Sequence, residues 1–460
     1  MDFISTRGQY KNIDFQQVVL EGLSRDGGLF IPASYPDLSG QLKTLKQLPY
    51  CELAFEIFRH FTGESILESE LKNIIKNSYS TFQSEQVTPL KHLNETTILE
   101  LFHGPTFAFK DVALQFLGNL FEWILTQKNR QLNILGATSG DTGSAAIMGV
   151  KGKKNINIFI LHPKGKISQI QEKQMTTVLD ENVFNVAIEG TFDDGQRIIK
   201  EAFNDLGFKD QYNLGAINSI NFARVMAQTV YYFYSAFRFN EKYPDAPLVF
   251  SVPTGNFGDI YAGYLAKKMG LPIKKLILAT NENDILYRVL TTGKYEVKAV
   301  HQSISPSMDI QIASNFERYL YDLLDQNAEK LVQKMELLNH TGGFTIDEQE
   351  MAKASELFIP ARIETARIEE CILKFAKNGY ILDPHTAIGV AAAEDNSEDR
   401  VICLATAHPG KFKDTVEEIL NSAIELPDAL SSLFDKEARC LTTPAKTEAI
   451  LDIIRSNCSV

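Results

Sequence analysis

The stretch ILGATSGDTGSAA (Ile134–Ala146) has the pattern of an apolar strand, a polar glycine-rich turn and the start of a helix. The same pattern recurs in VFSVPTGNFGDIYAG (Val249–Gly263) and VICLATAHPGKFKDTVEEI (Val401–Ile419). In open α/β sheets, ligands bind outside the carboxyl ends of the strands, where such turns come together. Each turn offers free backbone N–H groups and the positive end of a helix dipole, so three of them favour a phosphorylated ligand. None of the three matches a Walker or a G-x-G-x-x-G pattern, which disfavours nucleotides.

These stretches are part of a longer pattern, because the chain from residue 96 onward alternates between predicted strands and helices. The predicted strands are 96–102, 132–138, 157–163, 183–188, 247–254, 274–280 and 401–406. Apolar strands that alternate with helices indicate an α/β fold with a mainly parallel sheet buried on both faces. Residues 15–23 and 66–79 are helix-like instead. The expected domain ranges are 1–95, 96–230 and 231–460. The polar helical stretch Ser305–Glu370 is left open as a lid, an insert or a packing layer.

Composition narrows the class of protein. The chain has 460 residues and a net charge of −12, so binding to nucleic acid is not expected. Its five cysteines are scattered, without the spacing of a disulfide framework or a zinc site, which favours a reducing cytoplasm. The first residues lack the pattern of a secretory signal, and no run is long and apolar enough for a membrane span. We therefore expect a cytoplasmic protein that binds neither membrane nor nucleic acid.

A fourth stretch, LELFHGPTFAFKDVALQF (Leu99–Phe116), places Lys110 among phenylalanines at the start of a helical run. Apolar surroundings destabilise an ammonium and lower its pKa, as a Schiff-base nucleophile requires. A lysine that keeps its charged end in solvent is the commoner case. The spacing alone leaves both interpretations open.

Together, five motifs resemble those of threonine synthases in order and spacing: HGPTFAFKD, ATSGDTGSAA, NSINFAR, VPTGNFGDIYAG and ATAHPGKF. That family belongs to the tryptophan-synthase-β-like, fold type II enzymes that use pyridoxal 5′-phosphate. DGGLFIP (Asp26–Pro32) also resembles the N-terminal segment of the family, to which residues 1–95 then correspond. The resemblance implies two open α/β domains with parallel or mixed sheets and the pyridoxal 5′-phosphate cofactor between them.

The resemblance also assigns site residues by position. It makes Lys110 the catalytic residue and the lysine that binds the cofactor as a Schiff base. It assigns cofactor binding to Gly255, Asn256, Phe257, Gly258 and Asp259 at the phosphate, to Thr406 at the pyridine nitrogen, and to Asp141 at the 3′-oxygen side. It assigns substrate binding to Thr138, Ser139, Gly140, Thr142, Asn221 and Arg224. No metal is implied, because the histidines lack ligand spacing.

Some of these assignments have alternatives. A carboxylate at Asp259 would repel a phosphate, so this side chain is expected to cap the following helix or to face away. Asn221 and Arg224 either begin a helix that meets an anion or belong to a capped core helix with one surface arginine. His408 and Lys411 follow Thr406, where they could help to bind the substrate phosphate. A histidine next to a proline at a strand end is more often structural, so both are kept out of the catalytic set.

The function that the resemblance implies is conversion of O-phospho-L-homoserine and water to L-threonine and phosphate. Two other classes stay open. One is a phospho-lyase or a serine/threonine dehydratase that yields a 2-oxo acid, and the other is a non-catalytic phospho-ligand-binding protein on the same scaffold. The expected partner is a small-molecule substrate, and the sequence leaves a monomer and a homodimer equally open.

Overall fold

The computed structural model describes residues 1–93, 95–138 and 140–458. Its strands are β1 Phe3–Ser5, β2 Phe30–Pro32, β3 Leu90–Leu93, β4 Thr96–Glu100, β5 Leu132–Ala137, β6 Ile156–Pro163, β7 Val183–Glu189, β8 Leu214–Gly215, β9 Leu248–Pro253, β10 Ile273–Thr280, β11 Lys294–Glu296, β12 Gly343–Thr345, β13 Phe358–Arg362, β14 Ile402–Ala405 and β15 Leu441–Pro444. Its helices are α1 Phe15–Glu21, α2 Leu42–Leu45, α3 Tyr50–Thr62, α4 Glu68–Tyr79, α5 Lys110–Lys128, α6 Asp141–Val150, α7 Gln169–Thr176, α8 Phe192–Asn204, α9 Leu206–Gln211, α10 Phe222–Lys242, α11 Gly258–Lys268, α12 Ile285–Thr292, α13 Phe316–Leu323, α14 Ala328–Thr341, α15 Glu348–Ser355, α16 Thr365–Lys377, α17 Pro384–Asn396, α18 Lys413–Leu420, α19 Asp428–Ser431 and α20 Thr447–Asn457. Each run predicted to be a strand forms one, and 15–23 and 66–79 contain helices α1 and α4.

The larger sheet has the strand order β13–β10–β9–β14–β4–β3. Its neighbours are parallel except for the antiparallel edge pair β4–β3. Strands β9 and β14 are buried along their whole length, and helix α17 packs across both of them. Continuous apolar strands of this kind are expected where a parallel sheet is covered on both faces.

The smaller sheet has the order β15–β7–β6–β5–β8, with every neighbouring pair parallel. Helix α8 packs on β5 and β6, and α20 packs on α8 and β15. Two parallel or mixed sheets with helices around them confirm the predicted α/β class.

The predicted domain ranges differ from the sheets in three places. β3, which lies in the range 1–95, belongs to the larger sheet beside β4. β4, which lies in the range 96–230, belongs to the larger sheet beside β14. β15, which lies in the range 231–460, belongs to the smaller sheet beside β7. The reason is that strand pairing, rather than order along the chain, decides which sheet a segment joins, and periodicity carries no information about pairing.

The N-terminal segment packs into the main core. Phe3 and Phe61 contact Phe222 of α10, with ring centroids 5.1 and 5.5 Å apart. Helix α4 packs along α5, and α3 packs against α10. The buried Arg318 donates from Nε to the carbonyl of Phe30 at 3.0 Å, which ties β2 to the later part of the chain. This segment therefore supports the helix that begins at Lys110.

The stretch Ser305–Glu370 has two different roles. Strand β13 extends the larger sheet beside β10, and α13 packs on α11. The short turn Pro306–Met308, by contrast, lies at the cavity described below. Along the described residues, no helix is both long enough and apolar enough to cross a membrane.

Candidate active site

A cavity of about 480 Å³ lies where strands of the two sheets end, within the range typical of small-molecule sites. The turn after β5 comes from the smaller sheet, and the turns after β9 and β14 come from the larger one. These are the three glycine-rich turns of the sequence. The predicted site residues that line the cavity are Lys110, Thr138, Asp141, Thr142, Arg224, Gly255, Asn256, Phe257, Gly258, Asp259 and Thr406.

Lys110 is the first residue of α5, and 12% of its side chain is exposed. Burial lowers the pKa of Lys110 to about 8, and the nearby Lys411 and Arg224 act in the same direction. The position adds to this effect, because the N-terminus of a helix is the positive end of its dipole and disfavours an ammonium. Asp141 opposes the shift from 3.8 Å, a distance longer than an ordinary hydrogen bond. This lysine therefore has an amine that can lose its proton near neutral pH.

Asp141 is the first residue of α6, where the helix dipole favours a carboxylate. Its Oδ1 accepts from Gln171 Nε2 at 2.9 Å, and its Oδ2 accepts from the hydroxyl of Ser307 at 2.7 Å. Burial alone would raise the pKa of Asp141, but Lys411 and Lys110 hold that pKa far below its usual range. Asp141 is therefore a fixed negative charge beside Lys110.

The loop between β9 and α11 forms a cradle of backbone N–H groups. Phe257 adopts a left-handed backbone with φ of 61°, which is rare for a residue other than glycine. Its ring contacts Phe316, Tyr319 and Phe358 at centroid distances of 5.3, 5.8 and 5.8 Å, and these contacts hold the unusual backbone in place. In the part of the chain that the structure describes, the N–H groups of residues 255–257 donate to no protein acceptor. Free N–H groups at a helix N-terminus are a binding site for an anion.

The carboxylate of Asp259 faces away from that cradle. Its Oδ1 accepts from the hydroxyls of Tyr231 at 2.5 Å and Tyr232 at 3.0 Å, both on α10. Burial raises the pKa of Asp259 to about 6, although both tyrosine hydrogen bonds lower it. These tyrosine hydrogen bonds agree with the expectation that this side chain turns away from a phosphate.

Arg224 is a buried cation that faces the cavity from the first turn of α10. Its side chain is buried, and neither Nε nor Nη1 has a hydrogen-bond partner among the described residues. Burial lowers the pKa of Arg224 to about 10. A buried guanidinium with free donors is costly unless an anion pairs with it. Of the two alternatives for this arginine, the structure therefore favours the one that meets an anion.

Asn221 corrects the predicted substrate set. Its Nδ2 donates to the carbonyl of Val19 at 2.8 Å, and its Oδ1 accepts from the backbone N–H of Ala223 at 3.1 Å. The side chain thus caps α10 and ties it to α1, and it does not line the cavity. Asparagine is a preferred helix cap, so the same sequence pattern fits both roles.

In the turn after β5, some residues fix the backbone conformation and others line the cavity. The hydroxyl of Thr138 accepts from the N–H groups of Gly140 and Gly143, both at 2.9 Å. Gly140 has a φ of 133°, and a Cβ there would lie 2.2 Å from Gln171 Oε1, so only glycine fits. Gly140 shapes the turn without lining the cavity, whereas Thr142 lines it. Ser139, also predicted to bind substrate, lies outside the described residues.

Thr406 lies where predicted, at the end of β14. Its side chain lines the cavity, and its backbone N–H donates to Thr386 Oγ1 at 3.1 Å. His408 is structural, as its exclusion implied, since Nδ1 accepts from the N–H of Gly410 and burial lowers the pKa of His408 to about 4. Lys411, unlike His408, contacts a predicted site residue, because its Nζ lies 3.3 Å from Asp141 Oδ1.

Ser307 and His385 are two of the cavity residues that the sequence did not indicate. Ser307 lies on the 3₁₀ turn Pro306–Met308, and its N–H donates to His385 Nε2 at 3.2 Å while its hydroxyl reaches Asp141. His385 is held from the other side, with Nδ1 3.0 Å from Asp383 Oδ1. Neither residue stands in a motif at a strand end, and only the packing of the stretch 305–370 brings Ser307 to the site.

These groups fit a phosphorylated aldehyde such as pyridoxal 5′-phosphate. The cradle of free N–H groups suits the phosphate, and the amine of Lys110 suits the aldehyde carbon. The hydroxyl of Thr406 is a neutral partner for a ring nitrogen. Arg224 is not needed for any of these contacts and can bind a second anion.

Comparison with known proteins agrees with this fit. Models of three families match the chain: threonine synthase N terminus at residues 2–79, pyridoxal-phosphate dependent enzyme at 82–407, and threonine synthase, C-terminal at 386–454. Threonine synthase of Pseudomonas aeruginosa is 44% identical, with 98% of each chain covered. Threonine synthase of Saccharomyces cerevisiae is 47% identical, with 89% of this chain and 87% of the relative covered.

Solved structures give the same result. The structure of pyridoxal-phosphate-bound threonine synthase from Brucella melitensis has a TM-score of 0.97 and 42% identity, with 100% of both chains covered. Threonine synthase from yeast has a TM-score of 0.94 and 44% identity, with 99% of this chain and 98% of that chain covered. The predicted cofactor and fold type are confirmed, and the chain belongs to the threonine synthase family of pyridoxal-phosphate-dependent enzymes.

Proposed function

We propose that this chain, in the cytoplasm, converts O-phospho-L-homoserine and water to L-threonine and phosphate. One observation carries the proposal: Lys110 and Arg224 line the same cavity beside a cradle of backbone N–H groups, and Arg224 Nε and Nη1 have no partner among the described residues. Such a site has an amine for a cofactor and cationic or N–H groups for two separate phosphates. A substrate that carries its own phosphate accounts for the second of them.

The chain's residues would hold the cofactor in defined positions. Lys110 would bind its aldehyde carbon covalently, and the N–H groups of residues 255–258 would bind its phosphate. The hydroxyl of Thr406 would serve as the partner of its ring nitrogen. When bound, pyridoxal 5′-phosphate serves as an electron sink for the carbanion at the substrate's Cα.

Lys110 then serves as the base. Its free amine would take the proton from Cα, and its pKa of about 8 suits proton transfer near neutral pH. Arg224 binds the substrate phosphate and stabilises the charge that develops as that phosphate leaves Cγ. One proton leaves Cβ as the phosphate departs, and a proton then adds at Cγ. Water supplies the hydroxyl at Cβ, and Lys110 returns the proton to Cα.

The test is an end-point assay with O-phospho-L-homoserine that follows phosphate, L-threonine and 2-oxobutyrate together. We expect phosphate and threonine in equal amounts from the cofactor-loaded chain. Lys110→Ala should abolish both products and the visible absorbance of the cofactor bond. Lys128→Ala is the matched control, since Lys128 is the exposed last residue of the same helix.

Two outcomes contradict the proposal in different ways. Phosphate with 2-oxobutyrate and no threonine would identify a phospho-lyase. Cofactor binding without release of phosphate would identify a phospho-ligand-binding protein on the same scaffold.

A further inference from the structure

The buried ions behind Lys110 include a group to which the proposed reaction gives no role. Lys411 lies in the turn Pro409–Phe412, and none of its side chain is exposed. Its ammonium lies 3.3 Å from Asp141 Oδ1, and it donates to the carbonyl of Thr106 at 2.8 Å and to Gln174 Oε1 at 3.0 Å. Two hydrogen bonds and one ion pair thus surround this ammonium, which has three N–H donors. Lys411 therefore belongs to the wall of the site, with no surface on the cavity.

Lys110 has much weaker partners. Within the described residues, its ion-pair partner is Asp141 Oδ2 at 3.8 Å, and the ring of Phe109 lies 5.9 Å away. An ammonium in this position has lost most of its water and gains little in return. The carboxylate of Asp141 thus contacts both lysines, and the ammonium of Lys411 lies closer to it than that of Lys110.

We propose that Lys411 is a positioning residue that holds the carboxylate of Asp141 and thereby keeps it from binding Lys110 as a tight ion pair, so that Lys110 is available as a neutral amine. Without Lys411, Asp141 would be a buried carboxylate with Lys110 as its remaining cationic partner within reach. A tight pair of that kind stabilises the ammonium and removes the nucleophile. The proposal rests on the proposed function only through the role given to Lys110.

The charges around the cluster are consistent with this competition. Lys411 and Arg224 both lower the pKa of Lys110, whereas Asp141 raises it. Asp141 also faces His385, which is paired with Asp383, and the hydroxyl of Ser307. On the far side of Lys411 lies Asp111, whose carboxylate is already bound by the N–H and hydroxyl of Thr106 at 2.7 and 2.8 Å. Asp111 is therefore not a free replacement for Asp141.

The test measures the reactivity of Lys110 in the full cofactor-free chain, so that it does not depend on turnover. The chain is treated briefly with acetic anhydride across a range of pH, and acetylation of Lys110 is quantified by peptide mass spectrometry. Lys128, exposed on the same helix, is the internal reference. For Lys411→Gln we expect the pH midpoint of Lys110 acetylation to rise by about one unit. Lys411→Arg keeps the positive charge and should restore the wild-type midpoint.

A double variant separates action through Asp141 from the direct effect of the charge on Lys411. Asp141→Asn should lower the midpoint, and Lys411→Gln in that background should raise it by less than half as much as in the wild type. A merely structural role for Lys411 would change the melting temperature without moving the midpoint. Asp141→Asn keeps the test decisive if Lys411→Gln does not fold, because an unchanged midpoint in this variant contradicts the proposal.

Two further results would overturn the inference: a folded Lys411→Gln chain with the wild-type midpoint, or equal shifts in the two backgrounds. These results leave the proposed reaction untouched, because product formation is measured separately. Conversely, a chain that forms no threonine but shows the expected shifts would contradict the proposed function and retain the role of Lys411.

Discussion

At the scale of single residues, Arg224 combines a functional benefit with a structural cost. Among the described residues, Nε and Nη1 of its buried guanidinium have no hydrogen-bond partner and can bind an anion. For Arg224→Met we expect kcat/KM for O-phospho-L-homoserine to fall by about 10- to 100-fold, since a hydrogen bond to a charged group contributes about 1.5–3 kcal/mol. The ligand-free chain should unfold at the same or a higher temperature, because an unpaired buried charge is gone.

The check pairs steady-state kinetics with thermal unfolding of the ligand-free variant. Arg25→Met, at a largely exposed arginine, is the control and should change neither quantity. A variant that is both destabilised and fully active would show that Arg224 has a structural role instead.

Asp259 gives the chain a pH-dependent stability. Burial raises the pKa of Asp259 from 3.8 to about 6, so the folded chain binds this proton more tightly than the unfolded chain. Stability from this group is present below about pH 4 and is lost as the pH rises through about 6. Asp259→Asn has no such loss. Relative to wild type, we expect this variant to gain up to about 3 kcal/mol between pH 4 and pH 8.

Urea unfolding of both chains across this pH range measures the difference. Asp111, whose pKa burial also raises to about 6, is present in both chains and cancels. Asp193→Asn, at an exposed carboxyl, is the matched control. A difference between Asp259→Asn and wild type that stays constant with pH would mean that Asp259 is ionised throughout.

The site residues differ in how far the sequence could predict them. Asp141 and Thr406 stand in motifs just after strand ends, and parallel strands bring such ends together. Lys110 stands in a motif at the start of helix α5. Asn221 was misassigned because a helix cap and a ligand donor are the same residue type. Ser307, His385 and the contact of Lys411 with Asp141 depend on tertiary packing between segments far apart in the sequence, about which local pattern says nothing.

At the scale of elements, helices α5 and α6 approach each other at two glycines. A Cβ on Gly118 would lie 1.9 Å from the carbonyl oxygen of Gly149, and a Cβ on Gly149 would lie 2.5 Å from that of Leu114. Lys110 begins α5 and Asp141 begins α6, so this close crossing fixes the positions of both charges. The two glycines are therefore part of what sets the geometry of the site.

For Gly118→Ala we expect a loss of at least about 2 kcal/mol, since backbone at this distance has to move to admit the methyl group. Helix propensity alone would make Gly118→Ala more stable by about 1 kcal/mol. A loss of stability therefore shows that the steric clash outweighs helix propensity. Thermal unfolding measures it, with Gly40→Ala as the control because a Cβ there meets nothing within 4 Å. A stabilised Gly118→Ala chain would contradict the close approach.

At the scale of the whole molecule, periodicity predicted the central strands but not their grouping. The predicted strands are apolar runs of the kind that a covered parallel sheet requires. β8, β13 and β15 were not predicted, because they are two to five residues long, β13 carries Pro360, and β15 is largely exposed. Assignment of β4 and β15 to the correct sheets requires long-range pairing. The fold class was therefore predictable, whereas the crossing of the chain between sheets was not.

The position of β15 has a consequence for biosynthesis. Strand β7 is complete once Glu189 has been made, yet its parallel partner begins only at Leu441. Until the ribosome has added that strand and α20, one side of β7 presents unpaired backbone, and the apolar surface that will cover Ile450, Leu451 and Ile454 is open. An exposed strand edge beside apolar surface is prone to intermolecular pairing. The nascent chain is therefore prone to aggregation between the synthesis of β7 and that of β15. A chaperone that shields this edge would raise the yield of native protein.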